Sequence, residues 1–245
     1  MCGSSFISTA TPGGPLPGDD PAEFLAAWLT YGTGGTCWAG NGALCTVLVS
    51  LGFAAARGLS TMLSSPHAPP NHGTVLVTCE ETCYVVDASI LHSAPLPLHA
   101  SAPTGVAHPA WGVHCRKHEG TWYIRWRPLH MLDGMDCRLE HLQVPRDAFR
   151  ERHEHTRAWS PFNYELYARA IRGEAVVGVA RGQRVELAST GGVGHTPLAG
   201  DDRLRVLVDE LGMHEEIVQQ LPLDTPTPPP PGSRTAQAAA VDRRG

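Results

Sequence analysis

Cys37, His72 and Asp87 are residue types that could act together as a nucleophile, a base and an orienting acid. Cys37 sits in GGTCWAGN (residues 34–41), just after a glycine pair and just ahead of an apolar run with helical spacing. A thiol at a helix N-terminus feels the positive end of the macrodipole, which favours thiolate, the nucleophilic form. A cysteine there can equally be a small packed hydrophobe, and the stretch alone does not decide. A nucleophile needs a base, and the base needs a group to orient it. His72 opens HGTVLV (residues 72–77) and Asp87 closes YVVD (residues 84–87), with Cys79-Glu80-Glu81-Thr82 as the expected turn between them. Side chains alternate faces along a strand, so register decides whether the two can meet. A hairpin loop of two or four residues puts both on one face, directly opposite with the short loop or diagonally offset with the longer one. An odd loop separates them. The spacing permits a carboxylate-oriented base without requiring it.

The elements that must position these groups follow from periodicity. A helix is expected over 21–31, with Pro21 in its first turn, and another from about Cys37 to Leu51. Leu44, Val47, Leu48 and Leu51 fall on one face of the second helix, and Gly52 offers its stop. Phe24, Leu25, Trp28 and Leu29 give the first helix an apolar face to cover the second. Strands are expected at 54–63, 72–79 and 83–89, and a hairpin at 111–127 turns at His118-Glu119-Gly120. Helical patterns near 145–157 and 202–219 flank strands at 164–171, 175–180 and 183–188. Helices first, then mostly antiparallel strands, then a mixed end make an α+β order. The expected organisation is a flexible leader (1–20), a helical segment carrying Cys37 (21–53), a β-rich middle resembling an antiparallel barrel (54–144), an α/β part (145–221) and a Pro-rich disordered tail (222–245).

Composition narrows the function. The chain of 245 residues is 42% hydrophobic, with net charge −5, which fits a globular enzyme and argues against a nucleic-acid or polybasic membrane surface. No secretory start and no spanning apolar run is evident, so a cytoplasmic protein off the membrane is expected. Its seven cysteines are odd in number and irregularly spaced, which reads as reduced thiols.

Cys, His and Asp in this order resemble the triad of the arylamine N-acetyltransferases, a branch of the papain and transglutaminase-like group. GGTCW (residues 34–38) with Asn41 is similar to that family's nucleophile motif, and Leu51-Gly52-Phe53 to the end of its active-site helix. Asn71-His72, Leu76-Val77 and Val85-Val86-Asp87 resemble its histidine and aspartate strands. Ser160-Pro161-Phe162 and LVDELGM (residues 207–213) resemble later motifs, so the likeness runs over roughly 22–220. The resemblance implies Cys37, His72 and Asp87 as the catalytic triad and ping-pong acyl transfer through a Cys37 thioester. It implies acetyl-CoA as donor substrate, no permanently bound cofactor, and an arylamine, hydrazine or similar amine as acceptor. Trp38, Asn41, Ser160 and Phe162 are the implied substrate-binding residues. An amide synthase fed by an acyl carrier protein is the alternative, and a thiol hydrolase or non-catalytic binding relative the second.

The chain departs from the family pattern in places. Thr33 and Ala39 stand where the family has an Arg and a Glu, and their joint replacement suggests an adjusted pocket rather than a stranded charge. Ala88-Ser89-Ile90-Leu91 replaces a Gly-rich stretch. With 36 residues before Cys37, most of the family's N-terminal helical bundle is expected to be missing. Cys79 with Cys83, and His153-Glu154-His155, read as a turn and a solvated helix face, so no metal site is expected. Arg125 and Arg127 read as surface residues.

Overall fold

A computed structural model describes residues 3–4 (backbone only), 15–90, 94–131 and 133–229. In chain order the elements are β1 (Gly3–Ser4), α1 (Pro21–Tyr31), α2 (Cys37–Ser50), β2 (Ala54–Met62), β3 (His72–Cys79), β4 (Thr82–Val85), β5 (Leu96–Pro97), β6 (Thr104–Val106), β7 (Val113–His118), β8 (Thr121–Trp126) and β9 (Met135–Val144). Then follow α3 (Arg146–Arg157), a 3-10 turn (Pro161–Asn163), β10 (Tyr167–Arg172), β11 (Ala175–Ala180), β12 (Gln183–Leu187), β13 (Val193–Pro197), α4 (Asp202–Arg205), a π turn (Val206–Glu210) and α5 (Glu215–Gln219).

Asp20 starts α1 by accepting from the N–H groups of Ala22 and Glu23, and Gly32, at φ 63°, ends it in the left-handed conformation. The following helix carries Cys37 and packs on β3 and β2 through Trp38, Asn41 and Cys45, which lie on one stripe and are buried. That stripe differs from the expected Leu44–Leu51 face. Leu44 and Leu48 pack only partly, and Leu51 is 68% exposed. On α1, Phe24, Leu25 and Trp28 are half-buried, while Leu29 points to solvent at 81% exposure and takes no part in covering α2.

Eight strands pair antiparallel in the order β5-β4-β3-β2-β9-β8-β7-β6, and the two edge strands approach each other, so the sheet curls into a nearly closed barrel. Leu76, Val85, Val113, Cys115, Ile124, Cys137 and Leu139 fill it. The central strand β9 was not anticipated, although Met135, Cys137 and Leu139 alternate inward at period two. The expected strand at 83–89 ends at Val85, so Asp87 lies just past it. A second, five-stranded sheet, β1-β10-β11-β12-β13, packs its own core against the C-terminal helices. The helix expected over 202–219 is broken, because the chain passes through a π turn and then Gly212 at φ 72°.

Both expected terminal boundaries move. Within the expected flexible leader, Leu16 is buried and the Asp19 carboxylate pairs with Arg150 at 3.0 Å. At the other end, Thr225 N–H donates to Tyr164 O at 2.7 Å and Asp224 accepts from Leu166 N–H at 3.1 Å, so the start of the expected tail is tied to the domain. Residues 230–245, the rest of that tail, lie outside the described residues. No helix of the described residues is long and apolar enough to cross a membrane.

Candidate active site

The site is built from the start of α2, the start of β3 and the turn after β4. Gly35 lets the chain enter α2 closely, since a Cβ there would lie 2.5 Å from the Phe24 ring and 3.0 Å from Ala39 Cβ. Thr36 stands at the N-cap with extended backbone and makes no side-chain capping bond. Gly40 N–H is the donor to Thr36 O, so the N–H groups of Cys37, Trp38 and Ala39 have no partner within the helix. Such donors beside a half-buried thiol are suited to a developing oxyanion.

His72 and Asp87 meet through the hairpin. Its loop is Glu80-Glu81, with φ of 45° and 67° at the two residues, closed by the pair Cys79↔Thr82. A two-residue turn with both residues left-handed matches the twist of the strands. The register carries on through Leu76↔Val85, which offsets His72 and Asp87 diagonally even though the loop is short. The expected direct opposition for a two-residue loop is thus corrected: the turn sits one residue later than that pairing needs. The face is shared, and His72 Nε2 lies 2.8 Å from Asp87 Oδ2 in a buried pair. A carboxylate only accepts, so Nε2 carries a proton in either state of the ring, and in the neutral ring Nδ1 is the acceptor.

The second carboxylate oxygen of Asp87 is crowded with donors: Asn41 Nδ2 at 2.9 Å, Ser89 N–H at 2.9 Å, Ser89 Oγ at 2.6 Å and Ile90 N–H at 3.3 Å. Burial alone would raise its pKa. The His72 charge and these bonds outweigh burial and hold the carboxyl far below the usual carboxylate range. Burial likewise pulls His72 down, but the Asp87 carboxylate, then the thiols of Cys37 and Cys137, lift it well above its ordinary 6.5. Cys37 is therefore within electrostatic reach of the imidazole.

Asn41, expected to bind substrate, has a different position. It is 0% exposed, donates to Gly73 O at 2.7 Å as well as to Asp87, and accepts from Ala88 N–H at 2.9 Å. It ties α2 to β3 and to the acid. Trp38, also expected at the substrate, is buried between Phe149, edge-on at 5.0 Å, and His153, stacked at 6.0 Å. His153 accordingly does not lie on a solvated face. Ser160 caps the 3-10 turn by accepting from Phe162 N–H at 3.4 Å, and Phe162 meets Tyr167 edge-on at 5.7 Å. These contacts are local to the C-terminal part. Arg125 pairs with Asp136 on the outer barrel face at 3.3 Å.

Four neighbours of the site were not anticipated. Ser60 pairs with His72 across β2 and β3 and donates to its carbonyl at 3.1 Å. Cys137 is a buried thiol, pushed up to about 11 by burial, with His72 opposing. Ser89 holds the acid, and Arg169 donates to the Ser89 carbonyl from β10. The alternation of β9 could have revealed Cys137 as inward-facing. Nothing local marks Arg169. Among the described residues no group of three or more His, Cys, Asp or Glu is arranged to hold a metal ion.

A helix-borne thiol within electrostatic reach of a carboxylate-bound histidine at the start of an inner barrel strand makes a candidate thiol-histidine-aspartate centre in an α+β frame. Residues 20–127 match the N-acetyltransferase family model. The fold is that of the arylamine N-acetyltransferases: the Mycobacterium abscessus enzyme superposes with a TM-score of 0.74 at 16% identity, covering 89% of this chain and 82% of that one. The M. tuberculosis enzyme gives 0.69 at 19% identity, with 94% and 83% covered. The Mycobacterium marinum enzyme in complex with CoA gives 0.67 at 19% identity, with 84% and 81% covered. A comparison with curated proteins finds no match. The family model covers less than half of the chain, and the likeness to these solved structures is one of fold.

Proposed function

We propose that this enzyme moves an acetyl group from acetyl-CoA to an arylamine or hydrazine through a thioester on Cys37. The observation that carries this reading is the buried 2.8 Å bond between His72 Nε2 and Asp87, which leaves Nδ1 as a base for the thiol of Cys37. In the first step the Cys37 proton passes to His72 Nδ1 and sulfur attacks the thioester carbonyl. The oxyanion forms beside the free N–H groups at the start of α2. The C–S bond to CoA then breaks, and the imidazolium returns its proton to the CoA thiolate. In the second step the amine attacks the acetyl-Cys37 carbonyl, His72 takes an amine proton, and collapse releases the amide and the Cys37 thiolate. The proton on His72 restores the thiol. Asp87 stays ionised throughout and steadies the imidazolium.

The CoA bound to the M. marinum relative supports the choice of donor. The test is a two-substrate rate study with acetyl-CoA and an aryl hydrazine. Parallel lines in double-reciprocal plots and one amide formed per CoA released are expected. Release of CoA with acetate as the only acyl product would overturn the acceptor assignment.

A further inference from the structure

Asp87 belongs to the barrel, but part of its support comes from the other sheet. Ser89 turns both its N–H and its hydroxyl onto Asp87 Oδ1, at 2.9 and 2.6 Å. The carbonyl of the same residue accepts from Arg169 Nη2, and Arg169 sits on β10 in the five-stranded sheet. The guanidinium is itself fixed, with Cζ 4.5 Å over the ring of Trp126 at the end of β8. A guanidinium held over an aromatic ring by cation–π attraction is restrained near its acceptor. The result is a continuous path: Trp126 seats Arg169, Arg169 fixes the Ser89 peptide, Ser89 fixes the carboxylate, and the carboxylate orients His72.

A guanidinium half-buried beside a barrel tryptophan is an unusual choice if it only glues two sheets together. Burial draws its pKa down to about 10, with the Asp87 carboxylate opposing that fall. An apolar side chain could fill the same space without that desolvation. The turn it holds, residues 88–90, supplies three of the donors to Asp87 Oδ1, counting the Ile90 N–H. We infer that Arg169 is a positioning residue for the Cys37-His72-Asp87 centre, acting through Ser89 to set the angle at which Asp87 receives His72 Nε2–H. This rests on the proposed function only for its turnover consequence; the His72–Asp87 geometry is independent of it.

The test uses the full chain with Arg169→Met, Arg169→Lys and Ser89→Ala, and Arg116→Ala on the outer barrel face as the control. Three readouts are taken: kcat and KM for acetyl-CoA, the rate at which iodoacetamide alkylates Cys37, and the low-field proton resonance of His72 Nε2–H. For Arg169→Met we expect kcat to fall between about 10-fold and 100-fold with KM within about twofold, as for a misplaced catalytic group. Cys37 alkylation should slow and the His72 resonance should shift or broaden. Lysine, which can still donate one bond to Ser89 O, should recover part of each loss. Ser89→Ala should reproduce the alkylation and resonance effects in milder form, and it answers the question if Arg169→Met does not fold. A folded Arg169→Met or Ser89→Ala with wild-type alkylation and an unmoved His72 resonance would overturn the inference. If wild-type protein never acylates, the proposed function fails, while alkylation and the resonance still decide the role of Arg169.

Discussion

Asn41 and Asp87 stand 46 residues apart in the chain and are joined by a buried 2.9 Å hydrogen bond. Asn41 lies one helical turn after Cys37 on the same helix, so the bond fixes the helix of the proposed nucleophile against the carboxylate that holds His72. All three polar bonds of Asn41 are made in the interior, to Gly73 O, Asp87 and Ala88 N–H.

Asn41→Ala should therefore fail in two ways. It takes its side-chain partner from Gly73 O and from Ala88 N–H and one of four donors from Asp87 Oδ1, and a loss of about 2–4 kcal/mol is expected from the unsatisfied interior groups. Denaturant titration measures this. Activity should fall further than the folded fraction, because the distance between Cys37 and His72 is no longer pinned. Asn41→Asp puts a second carboxylate against Asp87 and should be worse still.

Gly73 predicts a different kind of failure. A Cβ there would lie 2.5 Å from Phe149 Cζ and 2.7 Å from Trp38 Cε3, both in buried rings. Gly73→Ala should cost about 1–3 kcal/mol through overpacking. Its neighbour His72 should move with it, so turnover drops while KM for acetyl-CoA changes little. A crystal structure of the variant would show the rings displaced. Unchanged thermal stability would contradict the packing described here.

Much of this was legible in the chain before folding. The Pro21 start, the thiol after a glycine pair and a turn within Cys79–Thr82 are local signals and survive in sequence, whereas the parity of that turn had to come from the strand register. What escaped was non-local. Asp136, Arg138 and Glu140 between the apolar residues of β9 resemble a polar connection until neighbours on both sides show which face is inward. Strands β5 and β6 span two and three residues, too short to carry a period. Motif position places Asn41 and Trp38 close to Cys37 but does not reveal which way their side chains point or that both are buried. Arg169 is joined to Asp87 only by tertiary packing.

Acid should destabilise the protein through His153. Its ring is buried against Trp38, and burial first, with Arg157 and Arg150 adding to it and Asp19 opposing, lowers its pKa to about 4. The unfolded chain then binds the proton more tightly than the folded one. Stability is full above about 6.5, falls as pH drops, and is fully lost from this source below about 4. The half-buried His130, also lowered to about 4, acts in the same sense. His153→Gln should flatten the fall by up to roughly 3 kcal/mol over that window, measured by urea unfolding at stepped pH. An equal slope in wild type and variant would contradict it.

The central claim is that Cys37 carries the acyl group, and intact mass after mixing with acetyl-CoA alone tests it most directly. Wild-type protein should gain the mass of one acetyl group, mapped to Cys37 by peptide digestion and discharged when an aryl hydrazine is added. Cys37→Ser should gain none, and Cys79→Ser, altering the exposed thiol, should behave as wild type. Asp87→Asn should acetylate far more slowly while remaining folded, since its amide allows the wrong histidine tautomer. Acetylation that maps to another residue, or that persists in Cys37→Ser, would contradict the account.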